Sequence, residues 1–186
     1  MSQMFKLSIY LPLFCLLSFT LISYPYKNAR FYLSTELEVL DGDTVKILQT
    51  GEKIRLYGID APELSQKSFD GKAVGEYSKN HLAKLIGDSS VKIQAFGIGY
   101  YGRTIGLLFN EQKKNSINFH MIKDGYAIIL IGIKYRSSQQ KRQWNQGFIS
   151  AFRLRQGLWK TQGFYSPKTY RKKVRALNRE GIYIKL

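Results

Sequence analysis

Three acidic residues of this chain are spaced so that they could meet at one point. Asp43 follows the turn pair Asp41-Gly42, and Asp60 and Glu63 close the run Ile54-Arg-Leu-Tyr-Gly-Ile-Asp-Ala-Pro-Glu63. Antiparallel pairing would bring the start of one strand beside the end of the next, so Asp43 and Asp60 are expected to share an ion. Oxygen ligands of this kind suit a hard cation such as calcium.

Two arginines accompany these acids. Arg55 lies in the same run as Asp60, and Arg103 closes the tripeptide Tyr101-Gly-Arg103 in another strand-like stretch. A guanidinium holds two phosphate oxygens at once and stabilises charge that grows on them during reaction. Arginines beside an oxygen-bound cation therefore indicate a metal-assisted phosphodiesterase.

Each signal taken alone also has a purely structural explanation. Asp41-Gly42 is a common hairpin pair, and Tyr-Gly-Arg is common in turns. Glu63 could be a surface acid at a loop entrance, and Arg55 could pair with a neighbouring carboxylate. Only the occurrence of these residues together, in this order and at this spacing, favours a catalytic site over the structural explanations.

Apolar periodicity predicts the elements that must position these residues. The expected strands are Glu36–Leu40, Thr44–Leu48, Lys53–Gly58, Val91–Phe96 and Arg103–Phe109. The expected helices are Lys72–Ile86, Ser116–Asp124 and Ser138–Gln156. Five strands with a helix before the fourth are typical of an OB-type barrel. The predicted fold class is therefore α+β, a five-stranded OB-fold-like barrel with packed helices.

The motifs, in this order, resemble the staphylococcal nuclease (thermonuclease) family. They are Asp41-Gly-Asp-Thr44, Arg55-Leu-Tyr-Gly-Ile-Asp-Ala-Pro-Glu63, Tyr101-Gly-Arg103, Asn118 with Gly125-Tyr-Ala127, and Gly157-Leu-Trp159. The resemblance predicts a nuclease domain over residues 36–159. Residues 28–35 are expected to be a linker, and residues 160–186 a basic C-terminal extension.

The family resemblance also implies roles for individual residues. The implied calcium ligands are Asp43, Asp60 and the backbone carbonyl of Ala61. The implied catalytic residues are Arg55, Glu63 and Arg103, with the arginines directed at the scissile phosphate. Glu63 would be the general base, and positioning of the water remains an alternative role for it.

The expected substrate contacts depart from the family. Its type member has two tyrosines shortly after the Gly-Tyr-Ala motif, whereas this chain has the apolar stretch Ile128–Ile133. Aromatic stacking contributes about 1–3 kcal/mol per base where it occurs. The substrate-binding residues expected here are Tyr101, Tyr135, Lys172 and Lys173.

The basic residues are concentrated near the C-terminus. Residues 1–125 hold 15 lysines and arginines against 12 acids, and residues 126–186 hold 14 against Glu180 alone, within a net charge of +16. Such a field attracts polyanions, either nucleic acid or an acidic membrane face. The segment Tyr170–Arg175 is interpreted as a solvated basic arm. The more specific alternative is that it contacts nucleic acid or anionic lipid.

The N-terminal sequence predicts an export signal. Leu7–Tyr24 is almost uninterrupted apolar sequence between Lys6 and the basic residues Lys27 and Arg30. This arrangement is typical of a signal peptide or signal anchor, assigned to residues 1–27. The domain is expected outside the membrane, either anchored or secreted. The lone cysteine, Cys15, lies in this apolar run, so the folded part has no disulfide.

The leading hypothesis is a calcium-dependent nuclease that acts on DNA and RNA and, by family resemblance, leaves 3′-phosphates. The main alternative is a non-catalytic nucleic-acid-binding module on the same barrel, because OB folds bind single strands without chemistry. A membrane-surface protein with a lipid-binding tail is a third possibility, but it leaves the carboxylates unexplained. No protein partner is implied.

Overall fold

The computed structural model describes residues 29–181 and 183–184. The predicted signal or anchor, residues 1–27, lies outside them. Within the described residues the strands are β1 (Ala29–Tyr32), β2 (Leu37–Asp41), β3 (Thr44–Ile47), β4 (Lys53–Leu56), β5 (Ile59–Asp60), β6 (Val91–Ile98), β7 (Thr104–Asn110) and β8 (Ile128–Ile129). The α-helices are α1 (Val74–Ile86), α2 (Ile117–Lys123), α3 (Ser138–Arg153) and α4 (Pro167–Arg179).

Six of the strands form one curled sheet in the order β1-β6-β7-β4-β3-β2. Neighbours are antiparallel except for β4 and β7, which run parallel. The two edge strands, β1 and β2, are joined by residues 33–36, which include the short 3₁₀ helix Ser34–Glu36. So short a connection keeps the two edges close together, and the sheet must curl into a half-barrel. The predicted α+β, OB-like fold class is confirmed.

Alternation along the strands separates the core from the functional face. In β4, Ile54 and Leu56 are buried, whereas Arg55 between them is only partly buried. Because successive side chains of a strand point to opposite faces, Arg55 points away from the core. The core itself includes Val45, Leu82 and many further apolar residues of the sheet and helices.

The main differences from the predicted elements lie at short strands. Ala29–Tyr32, within the expected linker, is a strand that pairs with β6 from Val91 to Gln94. The two-residue strands β5 and β8 form a separate small sheet, in which Asp60 pairs with Ile128. That pairing fixes the backbone at Asp60.

The basic extension also differs from its prediction. Tyr170–Arg175 belongs to helix α4 and is not a solvated arm, because Val174 is buried against the domain and Arg171 is partly buried. Ser166 caps the helix by accepting a hydrogen bond from the Thr169 amide, and Pro167 follows as its first residue. Both features favour helix initiation at this point. In the part of the chain that the structure describes, no helix is long and apolar enough to span a bilayer.

Candidate active site

One cavity of about 450 Å³ collects most of the residues singled out by their chemistry. The barrel contributes Asp41, Asp43, Arg55, Asp60, Ala61, Pro62, Glu63, Tyr101, Arg103 and Leu130. Helix α4 contributes Lys168, Arg171 and Arg175. Acidic and basic side chains therefore face each other across a single pocket.

Arg55 lies at the centre of this arrangement. Its Nη1 contacts Asp43 Oδ1, and its Nη2 donates to Asp60 Oδ1 at 3.0 Å and to the Ile59 carbonyl at 3.2 Å. Burial lowers the pKa of Arg55, and the nearby Asp60 and Asp41 carboxylates oppose that shift. Asp43 and Asp60, the two aspartates predicted to share an ion, thus both contact the Arg55 guanidinium.

The turn between β2 and β3 holds Asp43 in place. Asp43 Oδ2 accepts a hydrogen bond from the Ala61 amide at 2.7 Å, and Asp41 Oδ1 accepts one from the Asp43 amide at 2.9 Å. Gly42 packs so closely on α1 that an added Cβ would lie 2.0 Å from Ser78 Oγ. The turn therefore needs glycine for space. Burial raises the pKa of Asp41, and the Arg55 charge opposes this.

The loop after β5 positions Glu63. A Cβ at Gly75 would lie 1.9 Å from the Glu63 carbonyl oxygen, so α1 approaches the loop more closely than a larger residue would allow. Gln66 is fully buried, accepts a hydrogen bond from the Glu63 amide at 3.3 Å and donates one to the Tyr165 carbonyl at 2.6 Å. Glu63 is thereby held at the cavity wall with its carboxylate partly exposed.

Arg103 reaches the same cavity from the turn between β6 and β7. Its carbonyl accepts a hydrogen bond from the Gly99 amide at 2.8 Å, which closes the turn. Its Nη1 lies 3.4 Å from Thr44 Oγ1, and its guanidinium carbon lies 5.9 Å from the centre of the Tyr101 ring. Within the described residues, Arg103 has no carboxylate at ion-pair distance.

Helix α4 places a third arginine directly on the acids. Arg171 Nη1 donates to Glu63 Oε1 at 2.6 Å, and its Nη2 donates to Asp60 Oδ2 at 3.1 Å. Burial lowers the pKa of Arg171, but hydrogen bonds to these two carboxylates outweigh it, and the net shift is upward. Sequence patterns did not single out Arg171, since it lies 108 residues from Glu63 along the chain.

Three of the four expected substrate contacts lie outside the cavity. Tyr101 lines it and is largely exposed. Tyr135 packs edge-on against Trp144, with its hydroxyl 3.0 Å from Asn145 Oδ1. Lys172 and Lys173 are exposed on α4 without lining the cavity, and Lys173 lies 4.6 Å from the centre of the Tyr165 ring.

The acidic side of the cavity fits a hard cation. Asp43 and Asp60 are buried, converge on one guanidinium and offer only oxygen atoms, with the Ala61 carbonyl in the adjoining backbone. Among the described residues, no group of three or more His, Cys, Asp or Glu side chains could hold a metal ion by itself. Calcium takes about six to eight oxygen ligands, so a site on these two carboxylates and the Ala61 carbonyl would need water at its remaining positions.

Comparison with known proteins identifies the fold's family. Residues 53–161 match the family described as "Staphylococcal nuclease homologue". The chain belongs to the staphylococcal nuclease family. The matched part contains Arg55, Asp60, Glu63 and Arg103, whereas Asp43 precedes it and α4 follows it.

Several relatives carry nuclease names. The chain is 28% identical to "Micrococcal nuclease" of Shigella flexneri over 145 residues, which cover 73% of this chain and 78% of the relative. It is 36% identical over 94 residues to an "Uncharacterized endonuclease" of Haemophilus influenzae, covering 49% of this chain and 48% of the relative. A rice protein, "Probable staphylococcal-like nuclease CAN3", is 27% identical over 168 residues, which are 85% of this chain but 41% of that protein.

Proposed function

We propose that this protein is a calcium-dependent nuclease that hydrolyses phosphodiester bonds of DNA and RNA and leaves 3′-phosphates. One observation carries the proposal. A partly exposed carboxylate, Glu63, shares a cavity with the Asp43–Arg55–Asp60 cluster and with Arg103. This combination supplies a base, a cation site and two phosphate clamps. Membership in the nuclease family supports the same reaction class.

Each residue has a distinct task in the proposed reaction. Asp43, Asp60 and the Ala61 carbonyl would hold calcium, which when bound supplies positive charge to the phosphate. Glu63 accepts a proton from water as the water oxygen attacks phosphorus. The bond from phosphorus to the 5′ oxygen breaks, and that oxygen takes up a proton from solvent. Arg55 and Arg103 stabilise the charge that grows on the phosphate oxygens.

The acids argue against a module that only binds nucleic acid. Asp41, Asp43, Asp60 and Glu63 all line the cavity, where each of them weakens the attraction that the arginines and the lysine of the cavity exert on a phosphate. A surface selected only for binding gains nothing from carboxylates at its centre, because phosphate contacts come from cationic and neutral donors. A metal-assisted hydrolytic site uses both the cation ligands and the base.

Removing the cation or one of its ligands is expected to abolish cleavage. The full chain, kept soluble in neutral detergent, should cleave labelled DNA and RNA with calcium and lose this activity in a chelator or with zinc. Asp43→Ala should lose most activity in calcium because a buried ligand is gone. Asp88→Ala removes the same charge from an exposed position beyond α1 and should keep full activity.

Two outcomes would contradict this proposal. Undiminished cleavage by the wild type in chelator would exclude the calcium requirement. Equal activity of Asp43→Ala and Asp88→Ala would separate the reaction from the acidic cluster. Circular dichroism of both variants should show a folded barrel, so that a loss of activity reports on the site.

We also propose that the domain acts on the outer side of the membrane, tethered or released. The support is the apolar run Leu7–Tyr24 with its basic flanks, together with the chemistry of the site. Calcium sites of extracellular modules work at about 10⁻⁴–10⁻³ M, an affinity that two aspartates can supply. Protease added to intact cells should degrade the domain. Complete protection beside a cytosolic marker would refute this placement.

A further inference from the structure

Helix α4 is firmly attached beside the candidate active site. The segment that leads into the helix is held against the loop after β5. The Phe69 amide donates a hydrogen bond to the Gly163 carbonyl at 2.8 Å, and the Phe69 and Tyr165 rings contact each other edge to face, with their centres 5.0 Å apart. Gln66 bonds the Tyr165 carbonyl, and the Tyr170 hydroxyl lies 3.3 Å from Ser65 Oγ. These contacts join α4 to the loop that carries the general base.

Three cations of α4 line the cavity from one side of the helix. Lys168, Arg171 and Arg175 are separated by three and four residues, the spacing that places side chains on the same helical face. At a rise of 1.5 Å per residue they span about 10.5 Å along the helix. That length exceeds the roughly 3.4 Å rise per nucleotide of one strand in a duplex. The row can therefore contact more than one phosphate.

The charges of the cavity show what α4 adds. The barrel side contributes four acids and the two arginines Arg55 and Arg103, an excess of acid that one divalent cation would offset. The helix adds three positive charges beyond that balance. Arg171 pairs with Asp60 and Glu63, whereas Lys168 and Arg175 have no carboxylate at ion-pair distance among the described residues. Lys168 and Arg175 are thus two cationic side chains of the cavity that can pair with an anionic ligand.

We propose that Lys168, Arg171 and Arg175 form a binding site for the sugar–phosphate backbone of the substrate. The inference rests on the proposed nuclease function and extends it to a segment beyond the family match at residues 53–161. Lys168 and Arg175 bind phosphates that flank the scissile one. Arg171 pairs with Asp60 and Glu63 in the free enzyme. A cation held by Asp60 would compensate that charge instead, and the guanidinium would then be available to a phosphate.

The first test compares two charge-matched double variants of α4. Fluorescence anisotropy of a labelled single-stranded oligonucleotide is measured in chelator, so that no turnover occurs, over a series of salt concentrations. Lys168→Ala/Arg175→Ala should weaken binding at least tenfold and reduce the salt slope by about 1.4, which is 0.7 for each lost contact. Lys172→Ala/Lys173→Ala removes equal charge from exposed positions of the same helix that do not line the cavity. Contrary to the substrate contact that the sequence predicted for these two lysines, this variant should keep affinity near the wild-type value.

Equal losses in the two double variants would overturn the proposal, because they would reflect only the net charge of the helix. A parallel titration with phosphatidylserine vesicles tests the rival partner. If Lys168→Ala/Arg175→Ala loses vesicle binding and keeps oligonucleotide binding, the row serves a membrane and the proposal is wrong. Thermal melting of each variant shows whether α4 remains docked.

The second test uses the opposite signs expected for Arg171→Ala. Calorimetric titration with calcium alone should show severalfold tighter binding, because Asp60 and Glu63 lose a competing cation. The KM for the oligonucleotide in saturating calcium should rise. If Arg171 only stabilised the structure, Arg171→Ala would weaken the binding of calcium as well as that of the oligonucleotide, and this result would refute the assignment. An unchanged calcium affinity together with an unchanged KM would also refute it.

The outcomes also separate this inference from the proposed function. If the wild type binds oligonucleotide through Lys168 and Arg175 but cleaves nothing in calcium, the nuclease proposal fails and the backbone site stands. If the wild type cleaves DNA and the Lys168→Ala/Arg175→Ala variant binds as tightly as the wild type, the nuclease proposal stands and the backbone site is refuted.

Discussion

Glu63→Gln is expected to lower kcat by about 10²–10⁴-fold, the usual contribution of a positioned general base. The amide keeps the size of the carboxylate and can still hold a water molecule, but it cannot accept the proton. The backbone of Glu63 is fixed by Gly75 and Gln66 independently of the carboxylate, so the loop should keep its position. Steady-state kinetics with a labelled oligonucleotide at saturating calcium measure the effect.

Two further variants make this result specific. Glu76→Gln makes the same change at an exposed position in the first turn of α1 and should leave kcat unaltered. Glu63→Asp keeps a base one methylene shorter and should retain more activity than Glu63→Gln. If Glu63→Gln is instead as active as the wild type, proton transfer by Glu63 is refuted. If Glu63→Gln exceeds Glu63→Asp, the residue positions water.

Glu63→Gln also affects the α4 contact, which helps to interpret the experiment. Arg171 donates to Glu63 Oε1 at 2.6 Å, and an amide oxygen accepts such a bond without the full charge attraction. The substitution does not alter the other partner of Arg171 in the free enzyme, Asp60, whose Oδ2 accepts a hydrogen bond from it at 3.1 Å. A loss confined to kcat, with KM nearly unchanged, therefore reports on the proton transfer and not on substrate binding.

Much of the barrel could be predicted from local patterns in the sequence. Ile54 and Leu56 alternate with Arg55, which predicts a strand with one apolar face and places the arginine on the other. The turn pair Asp41-Gly42 predicts the hairpin between β2 and β3. In the structure this hairpin brings Asp43 near β4, and the next residue, Thr44, pairs with Arg55. Local sequence patterns therefore predict the residues whose positions depend on their neighbours along the chain.

Contacts between distant parts of the chain could not be predicted in this way. Ala29–Tyr32 has no turn signal of its own and becomes a strand only because the curled sheet brings β6 to it. Tyr135 was the nearest aromatic in sequence to the missing family tyrosines, yet its ring packs against Trp144. Arg171 enters the site because Gln66 and Phe69 attach the extension to the loop at Glu63. Sequence spacing gives no measure of such docking.

Alanine at Arg55 and at Arg103 should have similar kinetic effects but different effects on stability. Loss of either phosphate clamp is expected to lower kcat by about 10²–10³-fold, as for removal of a preorganised donor to developing charge. Kinetics at saturating substrate measure this. Arg103→Ala should also leave the melting temperature close to that of the wild type, because its guanidinium contacts only the Thr44 hydroxyl, at 3.4 Å, among the polar groups described around it.

Arg55→Ala should in addition destabilise the fold. Arg55 lies between the buried carboxylates of Asp43 and Asp60, and its removal leaves both acids without their shared partner. Breaking a buried ion pair costs about 3–5 kcal/mol of unfolding free energy. Arg171 offsets part of this at Asp60, whereas Asp43 has no second arginine among the described ion pairs. Thermal melting in chelator should show a clear loss for Arg55→Ala.

Calcium then distinguishes the two arginines. A cation held at the proposed site by Asp43 and Asp60 would supply the charge that Arg55 supplied, so calcium should raise the melting temperature of Arg55→Ala more than that of the wild type or of Arg103→Ala. Ligand binding to the folded state stabilises it by an amount that grows with the logarithm of the ratio of ligand concentration to Kd, and loss of a competing guanidinium should lower the Kd for calcium. Identical calcium shifts in all three proteins would mean that the cation does not bind beside Arg55, and the proposed metal site would have to lie elsewhere in the cavity.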